Sequence, residues 1–335
     1  MQDNTKKVKL TAAELGYLWS TYIADTMSLC VINYFLVHIH DEDIHQLLKH
    51  AQDISQQHLE IIRGILTEEG IKIPQGFTEQ DVNLQAKRLF SDTFYLIYIH
   101  NMTKGGLVTY GRVLQNVFRE DIHAFFTKCM TSTLELKWEA TKILLEKGLA
   151  TRPPNIPYPD KIEFIQKQSF MLEGLGRRSI LTALEVTNLY ANVTTNYLGS
   201  SIATAFSQIA KSDKVRKYIL RGKEIAIKHA KVFASYLEMS SLPVPMSSDQ
   251  EVTDSTETVF SDKLIMFLFS MMIYAGIGNY GVAISESQRS DLVVDYSRLL
   301  AEIMKYSEDG ANIMIAHEWL EQPPISADRR GLAKG

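Results

Sequence analysis

The chain has 335 residues, of which 45% are hydrophobic and 22% charged, with a formal net charge of −4. Those figures exclude a disordered chain, which lacks the apolar surface to build a core. They also exclude a protein held to nucleic acid by bulk charge, because that footprint needs clustered excess Lys and Arg. The 2 cysteines, Cys30 and Cys129, allow neither a disulfide framework nor a Cys-rich zinc site.

The N-terminal segment MQDNTKKVKL has no apolar run behind its lysines, so no secretory signal is expected. Two thiols in such a chain predict a reducing, cytoplasmic setting. Leu10-Thr11-Ala12-Ala13-Glu14 opens the first element and recurs as Leu181-Thr182-Ala183-Leu184-Glu185, an offset of 171. The offset persists through Phe35/Phe206, His58/His229 and Pro74/Pro245. It then becomes 170 and pairs Phe90-Ser91-Asp92 with Phe260-Ser261-Asp262, Tyr110-Gly111 with Tyr280-Gly281, and Pro153-Pro154 with Pro323-Pro324. A single lost residue across so long an alignment marks a tandem duplication.

Each repeat reads as four helices. Thr11 with Glu14, and Thr182 with Glu185, fit a capping box in which the two side chains satisfy each other's orphan amides. From there the apolar pattern predicts a first helix to about Ile39 and Ala210. After a short polar link (HDED; KSDK), a second helix ends near Gly70 and Ser241. A non-helical stretch follows, marked by Pro74 in one repeat and by Pro243 and Pro245 in the other. Ser91 and Ser261 then cap a third helix, and a break near Arg119 and Arg289 starts the fourth. Short links permit only antiparallel neighbours, whereas a link of about 20 residues can travel a bundle's full length at roughly 3.3 Å per residue. The order short, long, short predicts an all-α fold of two ferritin-like four-helix bundles, each with one long crossover between helices 2 and 3. The first bundle is expected over 1–150 and the second over 181–335, joined by a Pro-containing connector at 151–180.

The chain resembles one family through the run 181–198, RGKEIAIKHAKVF (221–233), LPVP (242–245), EVTDST (251–256), VFSDKLIMF (259–267), EDGANIMI (308–315) and WLEQPP (319–324). It is an uncharacterised bacterial family of tandem ferritin-like bundles from spore-forming bacilli, number 3231 in the domain-of-unknown-function series. Single-unit relatives carry a spore-coat label. The resemblance implies the fold and a spore-associated setting, and it supplies no catalytic residues.

A ferritin-like bundle invites a di-iron centre, which needs an inward Glu from each of two helices and Glu-x-x-His from each of the other two. The second repeat has no acid on its first helix between Glu185 and Asp213, and none on its third between Asp262 and Glu286. The first repeat has none between Asp92 and Glu120. The residues argue against a carboxylate-bridged di-iron centre, and no cofactor is predicted. Glu42-Asp43-Ile44-His45 and Glu120-Asp121-Ile122-His123 do match Glu-x-x-His, but they fall at helix starts, where acids complement the helix dipole.

Histidines are the remaining candidates for metal or ligand chemistry: His38, His40, His45, His50 and His58 cluster in the sequence, and His229 repeats His58. With Asp41, Glu42 and Asp43 in the turn, this cluster, with His38, His40 and His45 foremost, reads as a surface metal site, a pH-responsive patch or a solvated turn. His58 and His229 are core histidines bonded to a facing helix, or ligands needing partners such as Asp25 or His100. No Gly-x-Ser-x-Gly, phosphate-loop or dinucleotide fingerprint occurs, and both cysteines read as small core residues.

Residues 264–284 form an uncharged run long enough to span a bilayer. The counterpart at 94–114 carries His100, Lys104 and Arg112, so the run is expected to be a buried helix and not a membrane span. Its surplus apolarity fits a face covered by the other bundle or by a second chain, and self-association or a protein partner through 264–284 is expected. The function expected is therefore that of a non-enzymatic structural or interaction protein. A small-ligand or metal-binding bundle using histidines stands second, and peripheral membrane association third.

Overall fold

A computed structural model describes residues 8–165 and 180–333. The second half of the expected connector, 166–179, and the lysine-containing residues 1–7 lie outside the described residues. Among the described residues, eight long helices make up the fold: α1 (Ala12–His38), α2 (Glu42–Glu68), α3 (Asp92–Leu114), α4 (Glu120–Glu146), α5 (Ala183–Ile209), α6 (Asp213–Met239), α7 (Asp262–Glu286) and α8 (Ser290–Ala316). A short α9 (Arg329–Leu332) follows. The order of connections is short, long, short in both repeats, and each long link holds one 3-10 turn, at Glu79–Asp81 and Asp249–Glu251.

The helix starts are set by local chemistry. Thr11 Oγ1 accepts the Glu14 amide at 3.3 Å while Glu14 Oε2 accepts the Thr11 amide at 2.7 Å, and Thr182 with Glu185 repeats the box at 3.3 and 2.8 Å. Ser91 and Ser261 Oγ each accept the amide three residues on, at 3.1 Å. Both capping glutamates are buried and do a second job. Glu14 Oε1 accepts the Phe118 and Arg119 amides at 2.8 Å each, and Glu185 Oε1 accepts the Gln288 and Arg289 amides at 2.9 Å each. One carboxylate thus ties the start of the first helix to the break between the third and fourth. Arg119 and Arg289 continue the hub by clasping Asp121 and Asp291.

The chain divides into two compact units that do not follow the repeat boundary. Unit 1 holds Met1–Leu84, Ile99–Ile143 and Glu318–Gly335, and unit 2 holds Gln85–Tyr98 and Leu144–His317. In unit 1, Leu18, Tyr22, Ile62, Leu66, Tyr110, Val113, Ile122, Phe126 and Cys129 build the core. In unit 2 the residues at the repeat-equivalent positions do so: Leu189, Val193, Phe233, Leu237, Tyr280, Ala283, Leu292, Tyr296 and Leu299. Both cysteines are buried and outside any disulfide, the Cys30 thiol donating to the Thr78 carbonyl at 3.4 Å, and Cys129 sits where the second repeat packs Leu299.

Each unit also takes in a distant segment. In unit 1 the Glu321 carboxylate accepts the Gln75 and Gly76 amides at 2.9 and 2.6 Å. Gly76 needs to be glycine twice over: its φ is +60°, and an added Cβ would lie 2.4 Å from Thr26 Oγ1. In unit 2 Phe90 and Val252 form an antiparallel bridge, flanked by Ser91 N to Glu251 O and Thr253 N to Leu89 O, both at 3.0 Å.

Candidate functional site

The histidines between 38 and 58 spread along two helices without converging. The His38 ring lies against Tyr34, 4.6 Å between centroids, and His40 is exposed in the link. His45 Nδ1 is 3.9 Å from Glu42 on its own helix, and His50 Nδ1 reaches across to Glu139 Oε2 on α4 at 2.8 Å. Among the described residues no three His, Cys, Asp or Glu side chains gather as a group able to hold a metal ion. The structure therefore does not assemble His38, His40 and His45 into the surface site considered above. His38 ends α1, His40 lies in the link and His45 is on α2, so the three sit on different parts of the turn.

His58 and His229 occupy matching interior positions with different partners. His58 Nδ1 lies 3.1 Å from Asp25 Oδ2, and Ser55 donates to Asp25 Oδ1 at 3.1 Å. The Tyr110 and Phe125 rings meet the imidazole edge-on. Of the two partners the sequence offered, Asp25 is the one used. In the second repeat Asn196 replaces Asp25, and its amide group exchanges hydrogen bonds with Tyr280 Oη at 3.0 and 3.2 Å. Tyr280 Oη lies 2.9 Å from His229 Nδ1, while His229 Nε2 is 3.1 Å from Glu302 Oε2, itself bound by Lys228. Burial pulls the His229 imidazole below its ordinary pKa against the opposing pull of Glu302. Both arrangements satisfy a buried imidazole from facing helices, which is what core packing requires.

A second polar group is specific to the first repeat. His100 and Lys104 on α3 lie near Lys137 on α4, with no acid paired to any of the three among the described residues. Lys137 Nζ donates to the His100 carbonyl at 3.0 Å, and Lys104 Nζ donates to Asn101 Oδ1 at 3.0 Å. Desolvation, with repulsion from the two lysines, pushes His100 down to about 3. Desolvation and the Lys104 charge push Lys137 down to about 7.

The α6 and α8 surfaces of unit 2 enclose an open cleft of about 410 Å³, lined by Lys214, Lys217, Tyr218, Arg221, Asp309, Asn312 and Ile313. Beneath it, Tyr218 and Tyr306 stack with centroids 4.3 Å apart and planes 5° apart. Each hydroxyl donates to the other's main-chain carbonyl, at 3.2 and 2.7 Å. The rings fit because their tips lie over glycines. A Cβ on Gly310 would be 2.2 Å from Tyr218 Oη, and one on Gly222 would be 2.3 Å from Tyr306 Oη. The first repeat has Leu47, Ala140, Leu136 and Ala51 at these four positions, all buried. The interhelical pair His50–Glu139 likewise reappears as Arg221–Asp309 at 2.7 Å.

α7 departs from the buried helix expected of 264–284. It is long and apolar enough to cross a membrane, yet only 39% of its most apolar window is buried. Leu264, Ile265, Leu268, Phe269, Ile273, Tyr280 and Ala283 face the core, while Met271, Tyr274 and Val282 point outward. Counting uncharged residues cannot separate the two faces, because both are apolar. The equivalent outward positions of α3 hold Asn101, Lys104 and Arg112.

The family model for a protein of unknown function, DUF3231, matches residues 1–162 and again 169–332. The chain belongs to this family. The DUF3231 model matches each repeat once, so the chain is a tandem of two family units. The uncharacterised protein YvdQ of Bacillus subtilis strain 168 is 24% identical over 160 residues, covering 46% of this chain and 93% of that protein. A solved structure from Bacillus halodurans, provisionally described as a spore coat protein, is 20% identical and covers 46% of this chain and 100% of its own, with a TM-score of 0.42.

Sequence reasoning missed three features. It did not pair Tyr218 with Gly310, because a ring and a glycine on different helices leave no local signal. It did not find the cations of α6 as a group, although their spacing of three and four residues was legible. It also overlooked the second role of Glu14 and Glu185, since a capping box looks complete in itself.

Proposed function

We propose that the protein is a helical structural and interaction protein that acts through its surfaces and has no catalytic step. The observation that carries this reading is the outward stripe of α7, where Met271, Tyr274 and Val282 are exposed on a helix without a charge between Asp262 and Glu286, Lys263 apart. The occupant we propose is the same stripe of a second copy. Large residues at 271 and 274 and small ones at Gly278 and Gly281 make the stripe self-complementary, and a Cβ at Gly281 would meet nothing within 4 Å. Antiparallel pairing about a two-fold axis would seat each Tyr274 on the partner's glycines, an isologous contact.

The order of connections supports naming each repeat a ferritin-like bundle. A cytoplasmic protein that associates with the spore is the setting we propose, resting on the family resemblance and on two buried cysteines outside any disulfide. Sedimentation velocity of the wild type and of Tyr274→Lys tests the contact. A dimer that becomes a monomer in the variant is expected. A monomer at every concentration, or a dimer indifferent to both Tyr274→Lys and Gly281→Leu, would refute it. Flotation of the wild type with phosphatidylglycerol vesicles would instead favour a lipid surface.

A further inference from the structure

We propose that the α6–α8 cleft of unit 2 is a binding site for a small phosphoryl-bearing anion, held between the ammonium groups of Lys214 and Lys217. The cleft's lining carries three cations against one carboxylate, in a chain whose formal net charge is −4. The one carboxylate is already engaged, because Asp309 accepts from Arg221 at 2.7 Å. Lys214 and Lys217 are exposed and have no acidic partner among the described residues. On the same helix Arg216 pairs with Asp213, and Lys228 pairs with Glu302 at 2.6 Å. Of the α6 lysines without an acidic partner among the described residues, Lys214 and Lys217 line the cleft, whereas Lys223 and Lys231 lie outside its lining.

The repeat comparison removes the simplest structural account of these lysines. The interhelical ion pair persists as His50–Glu139, so holding the helices together needs one pair per repeat. The positions equivalent to Lys214 and Lys217 are Asp43 and Gln46, so the first repeat builds the same helix contact without cations there. Two positive charges have been placed where packing does not call for them.

The donor set selects the ligand class. Arg221 spends part of its fork on Asp309 and stacks over the Tyr306 ring at 4.8 Å, so bidentate capture of a carboxylate is largely used up. What remains are two compact point charges one helical turn apart, with side chains roughly 5–6 Å apart at Cβ, which suits a dense dianion. Asn312 offers an amide donor at the rim, and Ile313 with the Tyr218 ring gives the rest of a ligand an apolar floor. This site is separate from the α7 stripe, and the proposal does not depend on self-association.

Pyrophosphate titrated into the full chain, followed by isothermal calorimetry at low salt, is the test. Saturable one-site binding is expected, weakened at least tenfold in Lys214→Gln/Lys217→Gln and unchanged in Lys228→Gln. Both lysines are exposed, so circular dichroism should report an unaltered fold in the double variant. Malonate at equal ionic strength serves as the carboxylate arm, and phosphatidylglycerol vesicles serve as the lipid arm. No saturable heat, equal affinity in the double variant, malonate binding as tight as pyrophosphate, or capture by vesicles without pyrophosphate binding would each overturn the proposal.

Discussion

Substituting Gly310 by alanine sets two opposed effects against each other, and the ring clasp decides between them. In a free helix the change would stabilise by about 1 kcal/mol, because glycine costs that much relative to alanine. Here the new Cβ would sit 2.2 Å from Tyr218 Oη and 2.7 Å from Cζ, well inside contact distance. The ring cannot swing aside cheaply, since it is stacked at 4.3 Å on Tyr306 and its hydroxyl donates to the Tyr306 carbonyl. Overpacking costs about 1–3 kcal/mol, and loss of the hydrogen bond adds about 1 kcal/mol. After the propensity gain, Gly310→Ala should destabilise by about 1–3 kcal/mol, read as a lower urea midpoint by circular dichroism. The double variant Gly310→Ala/Tyr218→Leu should recover much of that loss, because it rebuilds the Leu47–Ala140 packing of the first repeat. A coupling of about 1–2 kcal/mol is expected for residues in direct contact. If Gly310→Ala raises the midpoint, or if the two changes simply add, the clasp is not what holds α6 on α8.

Glu185→Ala should cost about 3 kcal/mol or more in a urea titration, since the amides of Thr182, Gln288 and Arg289 lose a buried charged acceptor; a loss under 1 kcal/mol would dismiss the hub. Burial tends to raise the Glu14 pKa, but the amides of Thr11, Arg119 and Phe118 outweigh it and hold the carboxyl below its ordinary 4.5. Its contribution is therefore complete above pH 4.5 and is lost as pH falls through the lower folded value, so acid titration of Glu14→Gln should show a flatter stability profile than wild type. Asp25→Ala leaves Ser55 and His58 without their shared acceptor and should cost about 2–4 kcal/mol; unchanged thermal stability in this variant and in His58→Gln would rule out the packing role. Lys137 binds its proton more weakly folded, at about 7, than unfolded, at its ordinary 10.5. Its destabilising effect is full below about pH 7 and fades as pH rises towards 10.5. Lys137→Met should accordingly stabilise the protein at pH 6.5 and much less at pH 9.5, and a constant gain would contradict the account.

Much of the fold was legible because helices declare themselves locally. Thr11, Ser91, Thr182 and Ser261 cap where their side chains predict, and the prolines at 74, 243 and 245 fall in the long links. The duplication was legible because the repeats preserve core positions over residue identity, as Ile62 and Phe233 illustrate. Partner choice was not. His58 and His229 share a position and a burial, but their neighbours differ by substitutions on other helices, Asp25 for Asn196 and Ser132 for Glu302. The outward face of α7 was hidden for the opposite reason. Its periodicity is flat because apolar residues occupy both sides, and only packing shows which side is left over.

The exchange of segments between the compact units has a consequence for synthesis on the ribosome. Unit 1 includes Glu318–Gly335, whose Glu321 receives the Gln75 and Gly76 amides, so the first repeat cannot complete its contacts until Glu321 has been made. Unit 2 in turn must wait from Gln85 until Val252 exists to meet Phe90. Chains made only part-way to Glu321 therefore carry an unfinished first bundle, exposed to the associations that incomplete domains invite. The two repeats are serial in the gene and concurrent in folding.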